Sequence, residues 1–113
     1  MARRHKLELR YTDKAMADIR SIAQFTQENW GVEQRRVYLA QINDKVNMLT
    51  TTPHIGVALP GDEQRYRTLR VGSHRVLFRH IDNRLEILRV LHSNMDIERA
   101  LKRERRKERG LER

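Results

Sequence analysis

Two dipeptides constrain this chain more than anything else in it. Gly72-Ser73 and Asp82-Asn83 each interrupt a stretch dense in β-branched, aromatic and aliphatic residues, leaving runs at 65–71, 74–81 and 84–92. A link this short joins only antiparallel neighbours, because a parallel pair needs a long crossover. Gly-Ser suits a type II′ turn and Asp-Asn a type I′ turn. The stretch therefore reads as a three-stranded antiparallel meander.

Two-residue turns also set the register. Val71 pairs with His74, so Arg70 lies opposite Arg75 and Leu69 opposite Val76. Ile81 pairs with Arg84, which sets Arg79 opposite Glu86 and Val76 opposite Arg89. Side chains alternate between faces. One face collects Leu69, Val71, Val76, Phe78, Leu85, Ile87 and Leu91 and reads as the core, with Arg89 out of place among them. The other carries Tyr66, Thr68, Arg70, Arg75, Leu77, Arg79, Glu86, Leu88, Val90 and His92. Arg79 and Glu86 form an ordinary cross-strand ion pair. Arg70 facing Arg75 is unfavourable unless an anion joins them. His92 is expected beside Arg75, so Arg70, Arg75 and His92, with Arg89 nearby, form a candidate site for phosphate or carboxylate.

The core face needs a cover, and the chain supplies one upstream. Residues 6–11 alternate, with Leu7, Leu9 and Tyr11 on one side, as in a strand. Thr12 or Asp13 is an N-cap for a first helix whose stripe is Ala15, Ile19, Ile22 and Phe25 or Thr26. It stops near Asn29-Trp30-Gly31. Val32, Leu39, Ile42, Val46 and Leu49 mark one face of a second helix. The break at Gly31 allows only a helical hairpin. Thr50-Thr51-Thr52 and Pro53 end it, and residues 53–64 read as a loop. From Asp96 the pattern is helical and charged, with Ile97 and Leu101 able to dock. The fold class is α+β: N-terminal strand, α-helical hairpin, three-stranded antiparallel meander and short C-terminal helix.

Composition narrows the function. The formal charge of +9 predicts a polyanionic partner, whether nucleic acid, acidic protein or membrane surface. Residues 98–113 alone carry 8 Lys/Arg against 4 Glu. No cysteine is present, which excludes disulfides and thiolate chemistry and suits a reducing cytoplasm. No apolar run is long enough for a membrane span, and the basic start lacks the apolar core of a secretory signal. His5, His54, His74, His80 and His92 have no ligand-like spacing, so no metal is expected. No phosphate-binding glycine loop or nucleophile elbow occurs, and no cofactor is expected.

The order of elements, with residues 66–79 (YRTLRVGSHRVLFR) and 88–96 (LRVLHSNMD), resembles the ParE/RelE superfamily of toxins from type II toxin–antitoxin systems. The run Val90-Leu91-His92 followed by Met95-Asp96 is similar to the ParE ending. The resemblance implies a toxin domain over residues 1–101, followed by a basic extension at 102–113 outside the family pattern. It also implies neutralisation by a cognate acidic antitoxin and, for the ParE branch, inhibition of DNA gyrase without chemistry of its own. RelE-like relatives instead cut messenger RNA on the ribosome. Arg75 matches their central-strand arginine by position, but no tyrosine follows His92. A nuclease would rest on Arg75, Arg70 and His92, the last as the group able to exchange protons near neutral pH. A third reading is a basic nucleic-acid-binding module using the C-terminal extension, with a steep salt dependence.

Overall fold

The computed structural model describes residues 6–59 and 65–94, together with Ile97, Arg99, Lys102 and Arg103. In chain order the elements are β1 (Glu8–Tyr11), α1 (Asp13–Trp30), α2 (Val32–Leu49), a 3-10 turn (Pro53–Ile55), β2 (Val57–Ala58), β3 (Arg67–Val71), β4 (His74–Ile81) and β5 (Arg84–His92). The strands form one sheet in the order β1-β5-β4-β3-β2, with β1 parallel to β5 and the other pairs antiparallel. The expected α+β architecture is present. It is widened by β2, which lies in the stretch expected to be loop, and by β1, whose place beside β5 depends on the crossover through both helices.

Each helix end has a local cause. Thr12 caps α1, its hydroxyl accepting the Ala15 amide at 3.0 Å. Gly31 ends α1 and begins α2 at φ 97°, a conformation that costs other residues dearly. At the far end Thr50, Thr51 and Thr52 turn their hydroxyls back onto the carbonyls of Asn47 and Met48, which terminates α2 before Pro53.

The hairpin covers one face of the sheet. Ala15, Ile22, Ile42, Val46 and Leu49 pack on Val71, Val76, Phe78, Leu85, Ile87 and Val90, with Leu9, Tyr11, Ile19, Leu39 and Leu69 at the margin. Thr26, not Phe25, completes the inward stripe of α1: Thr26 is buried, whereas Phe25 is 61% exposed. Val32, expected inward, is exposed as well, at the first position of α2.

The other face has its own apolar cluster of Tyr66, Leu77, Leu88 and Leu91, closed by Ile97. Ile97, Arg99, Lys102 and Arg103 are helical, as the charged C-terminal pattern predicts. Leu101 and the extension beyond Arg103 lie outside the described residues.

The register of β3 on β4 is the expected one, and Arg70 lies opposite Arg75. On β5 it holds from Ile81↔Arg84 to Phe78↔Ile87 and then slips by one, so Leu77 pairs with Arg89 and Val76 with Val90. This β-bulge corrects the sequence register, which set Val76 against Arg89. One extra residue reverses every following side chain. Val90 joins the core under the helices, Leu91 moves to the opposite cluster, and His92 pairs with His74. The second turn differs too. Only Asp82 has positive φ, at 53°, so Asp82-Asn83 lacks the two left-handed residues of a type I′ turn.

Candidate functional site

The bulge leaves backbone groups without ladder partners, and α1 supplies substitutes. Thr12 donates its hydroxyl to the Leu88 carbonyl at 2.8 Å. Asp18 accepts the Val90 amide at 2.9 Å and holds one edge of the Arg89 guanidinium, Nε at 2.8 Å and Nη2 at 3.0 Å. Arg89 thus faces the helices in a largely buried bidentate pair. His92 follows it to that side. Of the four residues expected together, Arg70 and Arg75 share the outer face, while Arg89 and His92 lie on the helix side of the sheet.

On the outer face, Arg70 is exposed and its Nε donates to the Gly72 carbonyl at 3.2 Å. Arg75 is half-buried and has no hydrogen-bond or ion-pair partner among the described residues. Arg79 beside them is bound to Glu86 at 2.7 Å and stacks over the Tyr66 ring. Among these arginines only Arg79 is charge-matched within the described residues; Arg70 and Arg75 present two guanidinium groups in register.

On the helix side the bulge builds a cluster invisible in the linear sequence. The His74 and His92 rings meet edge to face with centroids 5.4 Å apart. Tyr38 of α2 reaches over the β3–β4 turn, its hydroxyl 2.6 Å from His74 Nδ1, 3.1 Å from the Val71 carbonyl and 3.2 Å from the Ser73 amide. A phenol has one proton and two lone pairs. The Ser73 amide takes one lone pair, and the tautomer of His74 decides whether the proton goes to the Val71 carbonyl or to His74 Nδ1. Burial pushes the His74 imidazole below its usual value, and His92 adds to the effect, against a smaller pull from Asp18. Gly72, at φ 57°, is required here: a Cβ would lie 2.6 Å from the Tyr38 ring.

Beside this cluster the hairpin tip is unusually greasy. Phe25 and Trp30, 61% and 71% exposed, line a cavity of about 350 Å³ with Thr26, Tyr38 and His74. A second, of about 400 Å³, runs from Phe25 along α1 to His92. Exposed aromatic surface of this kind marks an interaction site. The sequence leaves Phe25 and Thr26 as alternatives for the inward stripe of α1, and the burial of Thr26 turns Phe25 outward. The available signal was that Phe25 and Thr26 could not both lie on the stripe.

Comparison with known proteins agrees with this architecture. Residues 9–97 match the model of the ParE toxin of type II toxin–antitoxin systems. Toxin ParE1 of Mycobacterium tuberculosis is 33% identical over 88 residues, covering 77% of this chain and 90% of that protein. Toxin ParE1 of Caulobacter vibrioides is 35% identical over 89 residues, with the same coverage. Among solved structures, the chromosomal ParDE system from P. aeruginosa superposes with a TM-score of 0.67 at 26% identity, covering 78% of this chain and 97% of that one. The RelBE2 toxin–antitoxin complex from M. tuberculosis shares the fold, with a TM-score of 0.57 at 23% identity over 77% of this chain and 98% of that one. The chain belongs to the ParE toxin family.

Proposed function

We propose that this toxin acts in the cytoplasm by inhibiting DNA gyrase and is held inactive by a cognate acidic antitoxin. Membership of the ParE family carries the reading. The unmatched pair Arg70 and Arg75 supports it by offering two cations to a target surface, and His92 and Arg89 border the opposite groove. No helix among the described residues is long and apolar enough to cross a membrane. The ParDE and RelBE2 structures are of toxin–antitoxin systems, and a protein of charge +9 favours an acidic partner of that kind. The exposed Phe25 and Trp30 give such a partner an apolar anchor beside the basic surface.

The nuclease alternative is weaker on geometry. It needs His92 beside Arg75, whereas His92 pairs with His74 and Arg75 with Leu91. The proton-exchanging group and the charge-stabilising group then lie on opposite faces of the sheet. The test is to incubate the purified chain with gyrase, ATP and relaxed plasmid. Loss of supercoiling with accumulation of gyrase–DNA cleavage complexes is expected. Unimpaired supercoiling at micromolar toxin, with codon-phased cuts in a translating extract, would overturn it in favour of the nuclease.

A further inference from the structure

A second basic site lies away from both regions, where the end of α2 meets the sheet. A cleft of about 370 Å³ is lined by Pro53, His54, Arg65, Arg67 and His80. These residues come from the 3-10 turn, from the approach to and start of β3, and from the end of β4, so the fold converges them. Arg67 straps the turn to the sheet, Nη1 donating to the Gly56 carbonyl at 2.7 Å and reaching the His54 carbonyl at 3.3 Å. That fixes its guanidinium, and its Nε and Nη2 have no partner among the described residues. Arg65 is exposed with no partner among them either. His80 Nε2 engages the Asp82 carbonyl at 3.1 Å, which orients the ring. Among the described residues, the lining includes no carboxylate.

We propose that this cleft is a binding site for a phosphate group. Two arginines and two imidazoles in a concave lining suit a tetrahedral anion with several acceptor oxygens. One of the arginines is already held in place by main-chain carbonyls, so ordering it on binding costs little. Four of the five lining side chains carry nitrogen donors, which fits a phosphate better than an apolar ligand. The phosphate could belong to a nucleic-acid backbone or to a free phosphate or ester. This site stands apart from the gyrase reading and does not depend on it.

The test is an NMR titration of the whole chain with inorganic phosphate, following the imidazole resonances of His54 and His80. Saturable shifts are expected, displaced by sulfate and absent with chloride at equal ionic strength. Arg65→Gln, at an exposed position, should weaken phosphate binding about tenfold, whereas Arg20→Gln on the surface of α1 should leave it unchanged. A short DNA duplex that shifts the same two histidines identifies a backbone phosphate as the source. A duplex that leaves them unmoved while phosphate saturates identifies a free phosphate or ester. Shifts that only track ionic strength, or binding that is equal in Arg65→Gln, would overturn the proposal.

Discussion

Arg89 and Arg75 sit on neighbouring strands with side chains on opposite faces of the sheet, and they are held in opposite ways. Arg89 is gripped by both oxygens of Asp18 beneath α1, and the same carboxylate takes the Val90 amide. Arg75 faces Arg70 across the ladder and has no acidic partner among the described residues. The first arrangement stabilises a bulge; the second stores like-charge repulsion. A guanidinium whose charge is matched inside the fold is structural. One left unmatched beside another is available to a partner.

Substitutions can break or sharpen that contrast. The largest loss is expected for Asp18→Ala, which strands a mostly buried guanidinium and the Val90 amide together. Unfolding in urea should show about 3–5 kcal/mol lost. Tyr38→Phe removes the hydroxyl shared by Val71, Ser73 and His74 and should cost about 1–3 kcal/mol by the same measurement. Arg79→Ala removes the bond to Glu86 and the cover over the Tyr66 ring but leaves Glu86 its longer contact with Arg84, and should cost about 1–3 kcal/mol.

The histidine cluster adds a pH test with a defined sign. The folded value of His74 lies below its ordinary 6.5, so the unfolded chain binds that proton more readily. The contribution is therefore complete above about pH 6.5 and is lost as pH falls from there toward the depressed folded value. Thermal unfolding across that window should show a shallower decline in His74→Gln than in the parent. An equal slope would mean that His74 is not the group responsible. The smallest stability change is expected for Arg70→Ala, within about 0.5 kcal/mol, because its removal relieves a repulsion while giving up a single bond to Gly72.

Much of this architecture was legible in the residues. The strand runs and turn dipeptides placed β3, β4 and β5, and the spacing of Ile42, Val46 and Leu49 placed α2. The pairing of Arg70 with Arg75 followed from a two-residue turn at Gly72-Ser73. What the sequence hid was the bulge after Ile87. Residues 85–91 are nearly all apolar except Glu86 and Arg89, so alternation could not reveal where the strand changes phase. The bulge's supports lie far away, in Thr12 and Asp18, whose roles on Leu88 and Val90 exist only after α1 has docked. Arg89 on the core face was the one local sign, and Asp18 of α1 accounts for it there. The cleft of His54, Arg65, Arg67 and His80 was hidden for a similar reason, since its lining comes from three separate places in the chain.

The division of labour between the two faces is tested most directly by the Arg70→Ala/Arg75→Ala double variant, measured for melting temperature and for growth arrest on induced expression. A melting temperature at or above that of the parent, with arrest abolished, is the predicted result. Arrest as strong as the parent's, from a variant that folds equally well, would contradict it.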